Sequence, residues 1–240
     1  MKRINKVFKS VLALSLLAVI SSCNNNSETT KEEAATTEDS IVTAPAEPEF
    51  KPFDVALVTH KVKDYAAWRP VFDADSAHRM EDGMETIAVA RGVDDTSNIM
   101  MAFKVADIQK AKDFAADPKL KPIMEKAGVI SRPNFEFLHV IRFNADSKEK
   151  QWVDVTHRVK DFDAWLKVFD EQGTVARANG GLYDVVMARG IEDSNMVHLV
   201  FDIRDMAKAK ATMSSEELKQ LMTRAGVEGT PKIEFYKEAQ

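Results

Sequence analysis

Histidine titrates closest to neutral pH, so it can serve as a base, an acid or a metal ligand. The 240-residue chain holds five: His60, His78, His139, His157 and His198. Two of them lie in one phrase written twice, "VTHKVKDYAAWRPVFD" from Val58 to Asp73 and "VTHRVKDFDAWLKVFD" from Val155 to Asp170. His60 and His157 each close a β-rich stretch just before a helix, on the strand face of Val58/Val62 and Val155/Val159. Such imidazoles could act as bases or donate to a ligand. Each could equally be a structural histidine hydrogen-bonded to a helix end. Arg91 and Arg189 end the second strand of each copy, where they could bind an anionic ligand or pair with Asp94 and Glu192. His198 has no duplicate, since its counterpart is Met100. It sits in an apolar strand with Val200 and Val186 on the same side, and reads as a haem or metal ligand or as a satisfied core histidine. Trp68 and Trp165 share a helical stripe with Phe72 and Phe169 and read as core anchors.

Other chemistries leave no mark. The chain has no glycine-rich phosphate loop, no G-x-S-x-G and no His/Asp/Glu cluster at metal spacing, so no cofactor is expected. The formal net charge is −5, and it falls to −9 without Lys2, Arg3, Lys6 and Lys9. An acidic surface repels phosphate backbones, which argues against a nucleic-acid partner.

Residues 1–22 read as a targeting segment. "MKRINKVFKS" is basic, and "VLALSLLAVI" is an apolar run too short to span a bilayer. "ISSC" follows, ending in Cys23, the only cysteine in the chain. A branched apolar residue, two small residues and a cysteine resemble the lipobox of bacterial lipoproteins. The resemblance implies that Cys23 becomes the first mature residue and carries acyl chains, which would anchor the chain to a membrane of the bacterial envelope. It also leaves the folded part without disulfides.

Residues 23–52 are polar, acidic and rich in Thr, Ala and Pro, and read as a disordered tether. Two copies of one pattern follow, residues 53–145 and 151–240. "ARGVDD" (Ala90 to Asp95) matches "ARGIED" (Ala188 to Asp193), "MEKAGV" (Met124 to Val129) matches "MTRAGV" (Met222 to Val227), and Pro133 matches Pro231. Matches in order across the whole stretch point to tandem duplication. Each copy reads as β-α-β-β-α-β, a ferredoxin-like unit of the α+β class. Asp64 and Asp107 are expected to cap helices. A single long helix is expected up to Gly83, with Pro70 kinking it or delaying its start.

"NIMMAFKV" and "MVHLVFDI" are continuous apolar runs, which suggests strands buried on both faces. A bare apolar sheet face would exceed what monomers tolerate, so the second copy is expected to cover the first. The series H-x-V-x-D-[YF]-x-x-W, then small-R-G, K-A-K, A-G-V and a proline before the last strand resembles the dimeric α+β barrel superfamily. That group includes the antibiotic-biosynthesis-monooxygenase-like domains. The resemblance implies that the two copies pair their sheets into one intramolecular barrel, a pseudo-dimer within a monomer. It would place His60 and His157 near the barrel entrances, and the apolar runs favour a filled lumen. The functional expectation is a membrane-anchored module that binds a small apolar or anionic ligand. A cofactor-independent, monooxygenase-like enzyme acting on a small, partly apolar substrate is the alternative.

Overall fold

The structure, a computed structural model, describes residues 50–239. The expected targeting segment, Cys23 and most of the expected tether fall on residues outside that range. The first half runs β1 (Phe53–Lys61), α1 (Tyr65–Ala74), α2 (Ser76–Glu81), β2 (Met84–Gly92), β3 (Asn98–Val105), α3 (Ile108–Ala116), α4 (Leu120–Lys126) and β4 (Asn134–Phe143). The second half repeats it: β5 (Gln151–Val159), α5 (Phe162–Gln172), α6 (Thr174–Asn179), β6 (Tyr183–Gly190), β7 (Met196–Asp202), α7 (Met206–Met213), α8 (Glu216–Arg224) and β8 (Val227–Glu238). Each half is a β-α-β-β-α-β unit whose helical segments are split in two.

Local chemistry accounts for most boundaries. Asp64 accepts hydrogen bonds from the amides of Ala66 and Ala67, Asp107 from those of Gln109 and Lys110, and Asp161 from that of Ala164. These carboxylates satisfy amides that a helix start leaves unpaired. The glycine of each A-R-G turn is needed for space. A Cβ on Gly92 would come within 2.5 Å of the Asp95 carbonyl oxygen, and one on Gly190 within 2.7 Å of the Asp193 oxygen. The first helix differs from expectation. It starts on Tyr65 and carries Pro70 in its interior, and it breaks at Asp75. The second half breaks its helix at Gly173 with no preceding proline, so Pro70 is not the cause.

The eight strands close into one antiparallel barrel in the order β1-β3-β2-β8-β5-β7-β6-β4. Two seams join the halves. Strand β2 pairs with β8 through Arg91 and Lys237, and β4 pairs with β6 through Val140 and Ala188. No strand edge is left open, which removes the hazard of edge pairing. Alternation along each strand then divides the apolar residues into three cores. Ala56, Val58, Ile99, Met101 and Phe103 face the helices of the first half. Val153, Val155, Val197, Leu199 and Phe201 face those of the second. Val55, Leu57, Met100, Leu138, Val140 and Tyr236 meet inside the barrel.

Candidate functional sites: twin outer pockets and an asymmetric lumen

His60 points outward from β1, toward the helices, as does His157 from β5. Each ring lies 5.7 Å from a tryptophan ring, Trp68 and Trp165 respectively. Both tryptophans are buried, and each stacks on the next aromatic of its stripe, Phe72 or Phe169. The placement corrects two expectations. Neither histidine stands at a barrel entrance, and neither is bonded to a helix end. Both ring nitrogens of each are buried without a hydrogen-bond partner. Burial lowers the pKa of both to about 4, and His198 adds a smaller depression at His157. At neutral pH each pocket therefore contains a neutral imidazole with one free donor and one free acceptor.

The space around each imidazole is a small apolar pocket between sheet and helices. In the first half Val58, Met101, Phe103, Phe114 and Leu120 line it, and in the second Val155, Leu199, Phe201, Met213 and Leu218. Each encloses about 80 Å³. A buried arginine, at matching positions of the two halves, completes each pocket. Arg79 is buried with its guanidinium 3.9 Å from the Phe72 ring centroid, and Arg177 lies 3.8 Å from that of Phe169. Arg79 bonds Asp75, and Arg177 bonds Asp184 and the Phe169 carbonyl. The signal was available: two arginines retained at matching positions on the inward side of short helices.

His198 faces the lumen. Its Nε2 lies 2.9 Å from Asp154 Oδ2 and its Nδ1 3.0 Å from Thr156 Oγ1. The Thr156 hydroxyl also lies 3.4 Å from Asp154 Oδ1. Burial would depress the pKa of His198, but the Asp154 carboxylate, with Glu136 behind it, holds it above the ordinary value. With both ring nitrogens engaged by Asp154 and Thr156, His198 has none turned toward a haem iron or a metal. No group of three or more potential metal ligands occurs among the described residues. Asp154 was missed because register, not local sequence, brings it to His198. Its counterpart is Leu57, so the ion pair stands where the first half has Leu57 and Met100.

The lumen is not filled. A cavity of about 270 Å³ runs from Asn144–Glu149 inward past Trp152, Val55 and Met100 to His198. The continuous apolar runs reflect strands buried on both faces, and they do not specify how well the inner face packs. Beyond the cavity the barrel is plugged by a polar network. Tyr236 donates to Glu234, Asn98 donates to Tyr236, and Lys232 pairs with Glu234.

Arg91 and Arg189 meet neither expected carboxylate. Arg91 donates to the Thr96 carbonyl and lies 4.7 Å from the Tyr65 ring centroid, and Arg189 donates to the Ser194 carbonyl and lies 3.7 Å from that of Phe162. They brace the hairpin loops. Asp94 pairs instead with Lys210 and Glu192 with Lys112, linking the two halves.

No family model matches the chain, and no curated protein matches it. Solved structures do share its fold. A "Putative monooxygenase" of Fusobacterium nucleatum is 12% identical, with a TM-score of 0.52 over 79% of this chain and 93% of that one. An anthrone oxidase-like protein is 12% identical, with a TM-score of 0.53 over 78% and 92%. A heme-binding protein of Thermus thermophilus is 10% identical, with a TM-score of 0.50 over 79% and 92%. With the strand order, the likeness shows the fold, here two β-α-β-β-α-β halves of one chain forming one barrel. At these identities the likeness defines the fold and not an activity.

Proposed function

We propose that the protein is a membrane-tethered module that binds small, largely apolar molecules in two outer pockets, one per half. The observation that carries this is the pair of orphaned imidazoles, His60 and His157, each buried with two unpaired nitrogens. A buried polar group without a partner costs on the order of 1–3 kcal/mol. The same uncompensated arrangement occurs at both matching positions, and a ligand carrying one hydrogen-bonding group would satisfy it. Because the imidazoles are neutral, the best complement is an uncharged group such as a phenol, enol or ketone. The apolar walls take the rest of the molecule. The lipobox-like "ISSC" supports attachment through Cys23, and residues 24–52 would supply the reach.

The second reading is a cofactor-independent oxygenase. A base beside a guanidinium is what proton removal from a phenol needs, and His60 with Arg79 or His157 with Arg177 supplies both. A base with a pKa of about 4 is weak at neutral pH, so the geometry favours binding over catalysis. A haem does not fit these pockets. Each holds about 80 Å³, below the roughly 300 Å³ at which ordinary cofactor sites begin.

Native mass spectrometry of the protein, extracted in detergent from its own host, tests the proposal. The expected spectrum shows a chain starting at an acylated Cys23 with up to two equivalents of one small neutral molecule. His60→Phe with His157→Phe abolishes that retention. A ligand retained undiminished by the double variant, or an unmodified Cys23, contradicts the corresponding half of the reading.

A further inference from the structure

The two halves match in their outer pockets but not in the lumen. Three lumen-facing positions of the second half, Asp154, His198 and Asp202, correspond to Leu57, Met100 and Lys104 in the first. A structural requirement shared by the halves cannot explain residues that only one half has. Among the three, Asp154 and His198 pair with each other at 2.9 Å. Asp202 is different. It is 7% exposed and lines the cavity near its mouth, beside Trp152. Its Oδ2 accepts from the Ser147 hydroxyl at 2.6 Å, and its Oδ1 has no hydrogen bond among the described residues. No cation lies within ion-pair distance of it among the described residues. The neighbouring carboxylate, Glu149, is already paired with Arg204. Burial raises the pKa of Asp202, against the opposing pull of the Ser147 hydroxyl and of Arg204, which is too far to form an ion pair with it.

A buried carboxylate of this kind, opening onto an apolar cavity, complements a ligand that carries a cation on a greasy body. We propose that the lumen is a third binding site, separate from the outer pockets, for a primary amine with an apolar body. The ammonium would sit on Asp202 at the mouth. The body would lie along Val55, Ala102, Val140 and Val200 toward Met100 and Leu138, all of which line the cavity. The volume sets the size. At about 30 Å³ per small group, 270 Å³ holds roughly nine non-hydrogen atoms, about an eight-carbon amine. On this proposal the charge excludes fatty acids and other anions from this site.

The test is calorimetric titration of the full chain at neutral pH with three probes of equal length: octylamine, octanol and octanoate. The expected result is one equivalent of octylamine per chain, bound at least tenfold more tightly than octanol, with octanoate not binding. Asp202→Asn, with an unchanged melting temperature, is expected to lose at least tenfold in octylamine affinity and to erase the preference over octanol. If that variant fails to fold, the three-probe comparison on the unaltered protein decides by itself. Equal binding of octanol and octylamine, preference for octanoate, or no binding of any probe overturns the proposal. Stoichiometry separates it from the outer-pocket reading: two equivalents of octylamine per chain place the amine in the twin pockets and also overturn it.

Discussion

His60 and His157 give the protein a distinctive acid response. Each is neutral in the folded state, with a pKa of about 4, and titrates near 6.5 when unfolded. Between those values the unfolded chain binds more protons, so stability is complete above pH 6.5 and falls as the pH drops toward 4. The loss is on the order of 3 kcal/mol per histidine across that window. Urea denaturation at a series of pH values is expected to show this decline, and His60→Phe with His157→Phe should flatten it. A decline of the same size in the double variant would show that the two residues are not its source. Both histidines were visible in the sequence as a repeated residue, but their direction was not. Both faces of β1 are apolar, so a period of two places His60 with Val58 without saying which face the helices cover. His198 was legible for the opposite reason. It broke the repeat, and a residue that departs from a duplicated pattern needs an explanation of its own.

At the scale of elements, the repeat made boundaries easier to read than in a single copy. Two versions of each turn showed which residues a turn requires, as with Gly92 and Gly190. Gly190→Ala is expected to cost about 1–3 kcal/mol, because the new Cβ would stand 2.7 Å from the Asp193 oxygen and force the hairpin open. Thermal denaturation measures it, and an unchanged melting temperature would mean that the loop moves aside freely. The caps at Asp64 and Asp107 were equally plain, since an acidic residue before an apolar stripe has one common structural use. The helix break at Asp75 and Gly173 was not. It depends on how the segment turns to pack Arg79 and Arg177 beneath it, which is a tertiary matter.

At the scale of the molecule, closing the barrel makes both kinds of site. Each half covers its own outer pocket with its own helices, so the pockets come in matching pairs. The lumen belongs to neither half, and changes in one wall are enough to make it asymmetric. Asp154 and His198 stand together where the first half has Leu57 and Met100, so neither is buried without its partner. That coupling could not be read locally, because β5 meets β7 only through the sheet register. The lumen cavity was hidden for a related reason: hydrophobicity shows that a strand face is buried, while packing density depends on shapes brought from eight strands.

Sedimentation equilibrium of the chain beginning at Asn24 tests most directly whether the two halves close on each other. A single species with the mass of one chain, unchanged over a wide concentration range, is the predicted result. An obligate dimer, in which each half pairs its sheet with that of another molecule, would contradict it and would dissolve the lumen into two intermolecular interfaces.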